Sequence, residues 1–178
     1  MFPKDQPILE TERLVLRSFS LTDASEVQRL AGEKDIAATT QNIPHPYEDG
    51  MAESWIGTHT EKYIKGESVS FSVIRKEDRK LVGAIGFHNI NGSHAEMGYW
   101  IGKPYWGQEY ATEAARRIIQ FGFLVCELKR INAFFFTENQ SSRRVMQKNG
   151  MTPVRFIKNH TVKWGQPIDA WEYEVLAK

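Results

Sequence analysis

Residues 104–117 read PYWGQEYATEAARR, an aromatic, glycine-containing loop that runs directly into a helix. Ala111, Ala114, Ala115, Ile118, Gly122 and Val125 recur at three- and four-residue spacing, the period of an amphipathic helix. A helix start leaves four backbone N–H groups without helical acceptors, and Ser, Thr, Asp or Asn normally caps them. Here the residues before the periodic run are Gly107, Gln108, Glu109 and Tyr110, of which only Gly107 is a common cap. Free amides at the positive end of a helix dipole make a site for an anion, above all a phosphate. Water, or Gly107 itself, would satisfy the same amides, so the loop alone leaves both readings open.

The remaining chemical vocabulary is thin. There is no G-x-x-x-x-G-K-[ST] loop for nucleotide chemistry, and no H-E-x-x-H, C-x-x-C or G-x-S-x-G motif. No G-x-G-x-x-G is present, which argues against a Rossmann fold. The five histidines (45, 59, 88, 94 and 160) are scattered. His88 and His94 lie across one turn, and we read them as exposed histidines flanking a loop rather than a metal pair; no metal site is expected.

The elements that must position this chemistry fit one compact domain over residues 1–178, with 41% apolar residues to build its core. With 23 basic and 22 acidic side chains the net charge is +1, which argues against a general nucleic-acid partner. The single cysteine, Cys126, is read as a small buried hydrophobe on the apolar side of the helix, and a reducing compartment is expected. MFPKDQP at the start has no apolar leader core, and no stretch is long and apolar enough for a membrane helix. A cytoplasmic protein without membrane contact is therefore expected, with room for a homodimer.

RLVLRSF alternates as a strand, and a helix follows it, opened in capping-box fashion by Asp23 with Glu26. GEKDIAATTQNIPHPYEDG reads as a long loop, and Ala52, Trp55, Ile56, His59 and Tyr63 mark a second amphipathic helix. SVSFSVIR and LVGAIGFHNI form a hairpin, HAEMGYWI a third strand after an NGS turn, and RINAFFF an apolar strand after the opening helix. A short helix over ENQSSRRVMQKNG and strands at PVRFI and WEYEVL complete the chain. A hairpin feeding a β–α–β unit predicts an α/β three-layer arrangement on a mixed sheet.

The run AEMGYWIGKPYWGQEYATEA, followed by N-x-x-S-x-x-V-x-x-K-x-G from Asn139 and preceded by TERLVLR, resembles the GNAT superfamily of N-acetyltransferases. Within it the chain is similar to the branch of the ribosomal-protein alanine N-acetyltransferases RimJ and RimL, over residues from about 10 to 176. The resemblance implies a three-layer α/β/α fold with a mostly antiparallel sheet splayed between two neighbouring strands. It implies acetyl-CoA as cosubstrate and an amine acceptor, either a protein N-terminus or a small molecule such as a polyamine, aminoglycoside or amino acid analogue. A coenzyme A-binding module without turnover is the reading from a different class.

On this resemblance the pyrophosphate would be held by Trp106, Gly107, Gln108, Glu109, Tyr110, Ala111 and Thr112. Tyr99, Trp100 and Ile101 would pair with the pantetheine arm, Gly98 would sit at a bulge, and Asn139 would hydrogen-bond the cofactor or simply cap its helix. Amines are mostly protonated near neutrality, with pKa about 7.7–8.0 for an α-amine, so a base is useful. Glu96 is the candidate for that base, or is a solvated strand carboxylate. Ser142 would protonate the leaving thiolate, because the tyrosine that many members carry one turn on is Met146 here, or is a helix-start serine bonding to backbone. The acceptor would lie between segments 36–50 and 158–170, with Tyr47 and Trp164 either walling it or serving as buried structural aromatics, and Glu48, Asp49 and Asp169 as a thin acidic cluster. Glycine usually stands where this chain has Glu109; the expectation is that Glu109 points to solvent while its amide still serves the phosphate.

Overall fold

The computed structural model describes residues 3–178; Met1 and Phe2, the start of the MFPKDQP stretch, lie outside the described residues. Strands β1 (Leu9–Glu10) and β2 (Leu14–Arg17) lead into helices α1 (Ala24–Ala31), α2 (Lys34–Thr39), α3 (Met51–Gly57) and α4 (His59–Ile64). Then come β3 (Val69–Arg75), β4 (Leu81–Asn91), β5 (His94–Ile101), α5 (Tyr110–Leu124), β6 (Arg130–Phe136), α6 (Gln140–Lys148), β7 (Thr152–Lys163) and β8 (Gln166–Leu176). One open sheet carries all eight strands in the order β1-β2-β3-β4-β5-β6-β8-β7. Every pairing is antiparallel except β5 with β6, so the fold is the expected three-layer α/β/α arrangement on a mixed sheet.

The single parallel pairing shapes the molecule. β5 and β6 are in register only over His94–Arg130, Ala95–Ile131 and Glu96–Asn132, and past Glu96 they part. A parallel neighbour requires a crossover, and α5 supplies it. Its buried face, including Ile118, Phe121 and Gly122, lies on Phe71, Phe87 and Ile131. Phe71 and Phe121 meet edge to face with ring centroids 5.8 Å apart. Burying each such side chain is worth roughly 1.5–3 kcal/mol, which ties the position of α5 to the sheet.

Several local expectations are corrected. The capping box at α1 is made one turn earlier: Ser20 accepts from Thr22 N–H, and Asp23 accepts from Ser20 N–H at 2.9 Å. Asp23 is buried and takes both guanidinium nitrogens of Arg17 at 2.8 Å, while Glu26 turns to Arg29 instead. Burial pushes the Asp23 carboxyl up, but the Arg17 hydrogen bonds and charge outweigh it and hold it below the usual range. The loop expected over 32–50 contains α2, whose buried Ile36 and Ala37 fix it to the core despite weak helical signals. The helix expected through 52–63 breaks at Thr58 into α3 and α4. Cys126 is buried as expected but lies two residues beyond α5, and burial pushes its thiol up to about 12. Val125, assigned to the apolar face of α5, follows the helix and is exposed.

Candidate active site

Where β5 and β6 separate, the start of α5 and the start of α6 face a cleft of about 1390 Å³. Trp106, Gly107, Glu109, Tyr110, Ala111 and Thr112 line one end of it, and the backbone there is poised for an anion. Among the described residues the first-turn amides of Tyr110, Ala111 and Thr112 have no acceptor, and no side chain caps the helix. Gly107 adopts φ +74 with open space where a Cβ would stand, so backbone can approach a ligand closely. The Trp106 indole donates to Ile101 carbonyl at 2.6 Å and fastens the loop to the end of β5. Gln108, expected among the phosphate contacts, is exposed and off the cleft wall, with its side-chain amide 3.4 Å from Pro104 carbonyl.

Glu109 is the N-cap residue of α5 and sits at φ 63, ψ 12, a left-handed conformation that explains why glycine suits this position. Its carboxylate is half exposed, as expected, but it does not simply face water. It accepts from Thr112 hydroxyl at 2.7 Å and from Lys148 ammonium at 2.6 Å, so α6 brings a cation to the carboxylate beside the open helix start. Lys148 and then Thr112 hold the Glu109 carboxyl below its usual range.

Tyr99, Trp100 and Ile101 line the splayed edge of β5, and Ser142 faces them from the first turn of α6. The Tyr99 phenol and the Ser142 hydroxyl share a 2.6 Å hydrogen bond. Burial pushes the Tyr99 phenol well above its ordinary value, so it stays protonated. This phenol is a group that sequence reasoning missed, because 43 residues separate it from Ser142. Asn139 does cap α6, its Oδ1 accepting from Ser142 N–H at 3.1 Å, and its side-chain N–H groups remain available in the cleft. Met146 is buried and offers no chemistry.

Elsewhere along the cleft Glu96 is largely buried and accepts from His88 Nε2 at 2.8 Å and Asn89 Nδ2 at 2.9 Å. Burial pushes its carboxyl up, but the hydrogen bonds from His88 and Asn89 hold it below the usual range. Glu96 is thus no solvated strand carboxylate. His88, read from the sequence as a loop histidine, is inside β4, and His94 hydrogen-bonds Asn132 instead. Gly98 is not at a bulge: it pairs regularly with Gly86, and the register shift lies between His88 and Asn91. Of the two aromatics expected around the acceptor, Tyr47 lines the cleft and Trp164 does not; Trp164 is half exposed and stacks under Lys34 at 5.5 Å. The acidic cluster is dispersed: Asp49 accepts from Gln28, Asp169 accepts from Asn159 N–H, and neither these nor Glu48 line the cleft. Another missed residue is His59, whose two ring nitrogens are buried without a partner beside Trp55; burial pushes its imidazole down to about 4.

The family profile described as an Acetyltransferase (GNAT) domain matches residues 13–152. The uncharacterised N-acetyltransferase YoaA of Bacillus subtilis (strain 168) is 30% identical over 181 residues, covering 96% of this chain and 97% of the relative. An acetyltransferase of the GNAT family from Bacillus anthracis superposes with TM-score 0.83 at 27% identity, over 96% of this chain and 98% of the other. Mycobacterium smegmatis RimJ, solved in complex with CoA-disulfide, gives TM-score 0.89 at 21% identity, over 99% and 90% of the two chains. The splayed strands and the open helix start are thus found in a chain that belongs to the GNAT family, and the protein is an acetyl-CoA-dependent N-acetyltransferase.

Proposed function

We propose that residues 1–178 form a single N-acetyltransferase domain that acetylates the α-amine of a protein N-terminus by direct attack in a ternary complex. Acetyl-CoA supplies an activated acetyl thioester when bound. The open first-turn amides of α5 and Thr112 hold the pyrophosphate, with Asn139 as a side-chain contact, and the free edge of β5 at Tyr99–Ile101 pairs with the pantetheine arm. Backbone N–H groups of β5 past Glu96 face developing charge on the acetyl oxygen. The Ser142 hydroxyl, oriented by its 2.6 Å bond to Tyr99, gives its proton to the departing sulfur and takes one back from water. The Glu96–His88 pair handles the proton of the amine.

The acceptor end carries the choice of substrate. Its walls are Ile43, Tyr47, Trp55 and Phe134, and its most deeply placed carboxylate is Glu96, already bound by two donors. The dispersal of Glu48, Asp49 and Asp169 away from the cleft is the observation that favours one amine on an uncharged residue over a polycation. Among structural relatives of 15–18% identity, which share the fold, are a RimL described as a ribosomal L7/L12 alpha-N-protein acetyltransferase and a spermidine N-acetyltransferase chimera. Thiol release from acetyl-CoA with alanyl and seryl peptides, polyamines, aminoglycosides and free amino acids tests the reading. Release with the peptides supports it. Release only with polyamines or aminoglycosides overturns the acceptor assignment, and a cofactor-induced thermal shift without any release leaves a coenzyme A-binding module.

A further inference from the structure

His88 and Glu96 are register partners in the antiparallel β4–β5 pair and point to the same face of the sheet. In a regular strand Asn89 would point to the other face. The register shift between His88 and Asn91, with Asn89 at φ 50, re-aims its side chain, and both residues reach Glu96 from one strand. A methyl group on Gly98 would stand 2.7 Å from His88 Cε1, so the ring rests in the space the glycine leaves. Three local choices (a register shift, a left-handed asparagine and a glycine) therefore converge on holding one imidazole at the mouth of the splay.

Glu96 is kept ionised by its two donors, so Nε2 of His88 must carry the hydrogen it shares with the carboxylate. The lone pair is then on Nδ1, which has no hydrogen-bond partner among the described residues. The ring is 41% exposed and Glu96 only 20%, so His88 is the member of the pair that can pass a proton to solvent. Other titratable groups that line the cleft include His160 from β7, His59 and Lys62 from α4 and Glu67 from the turn after α4.

Resting on the acetyltransferase reading above, we infer that Nδ1 of His88 is the atom that accepts the proton of the attacking amine, and that Glu96 is a positioning residue. The amine lone pair forms the N–C bond, its N–H proton passes to Nδ1, the C–S bond breaks, and the sulfur takes a proton from the Ser142 hydroxyl. The imidazolium, stabilised by Glu96, then releases its proton to water, and Ser142 takes a proton back from water in the cleft.

Steady-state thiol release with the acceptor that the wild type turns over tests this. His88→Gln keeps a donor toward Glu96 but accepts no proton; it is expected to lower kcat about 100-fold or more, with the acetyl-CoA KM within about 2-fold. It should also abolish the acid limb of the pH profile, and His88→Ala should regain rate with added imidazole. Glu96→Gln should lower kcat about 10-fold and move the limb without removing it. Gly98→Ala, which displaces the ring but keeps it, should fall between. A His88→Gln enzyme with wild-type kcat and acid limb overturns the inference, and loss of both only in Glu96→Gln makes Glu96 the acceptor instead. A wild type that acetylates nothing removes the underlying reading, and that outcome is read before any variant is made.

Discussion

Glu109→Gly probes the least usual feature of the phosphate loop. At φ 63 a side chain costs about 1 kcal/mol over glycine. The Glu109–Lys148 pair has side chains 54% and 51% exposed, so at most about 1 kcal/mol is lost with it. The two changes nearly cancel, and the melting temperature should stay within about 4 °C of wild type. For binding, the carboxylate already carries a cation at 2.6 Å, so a nearby phosphate meets a neutralised pair rather than a bare charge. Freeing Lys148 in this solvated setting is worth about 1 kcal/mol, a unit-charge interaction at 4 Å with the dielectric of water. Calorimetry should therefore find coenzyme A bound about 5-fold tighter by Glu109→Gly, the gain shrinking as salt rises. Glu109→Gln should bind similarly but keep the strained backbone, and Glu109→Ala should melt below Glu109→Gly. Tightening of 100-fold or more would show that the native carboxylate opposes the pyrophosphate directly. Weakening of 10-fold or more would show that the Glu109–Lys148–Thr112 contacts organise the loop; either result refutes the reasoning.

Three further outcomes are expected. His59 is neutral in the folded chain with a pKa of about 4, against about 6.5 unfolded. The unfolded state therefore binds the extra proton, and stability should fall as pH drops from about 6.5 to about 4, by about 3 kcal/mol in all. His59→Phe should lose that slope in denaturant titrations at pH 7, 5.5 and 4. Gly122→Ala would place a methyl 2.9 Å from Ile131 Cδ1 and Phe87 Cζ; despite a better helix residue, urea unfolding should show a loss of about 1–2 kcal/mol as α5 lifts off the sheet. Asp23→Asn leaves Arg17 without its carboxylate and weakens the cap at Ser20, which should lower stability by about 2 kcal/mol without changing the coenzyme A affinity.

Local pattern made much of this protein legible. The 3.6-residue apolar period of 111–122 specifies α5 wherever it docks, and the alternation in 13–19, 69–75 and 94–101 specifies strands, because both depend on neighbours a few residues away. The absent cap before Tyr110 was likewise visible in the residues themselves, and the structure leaves those amides open. α2 was missed because its helix rests on burial of Ile36 and Ala37, which a turn-rich composition conceals. The chemistry of the cleft depended on register and on contacts between distant elements. Tyr99 meets Ser142 only because β5 parts from β6, and Lys148 reaches Glu109 across the α5–α6 packing. His88 and Asn89 both face Glu96 only because one register shift turns a strand that would have sent them to opposite faces. The sequence by itself determined the strands, α5 and its uncapped start; the tertiary structure decided α2, the break at Thr58 and which side chains share a proton, since a one-residue change of register reverses every face.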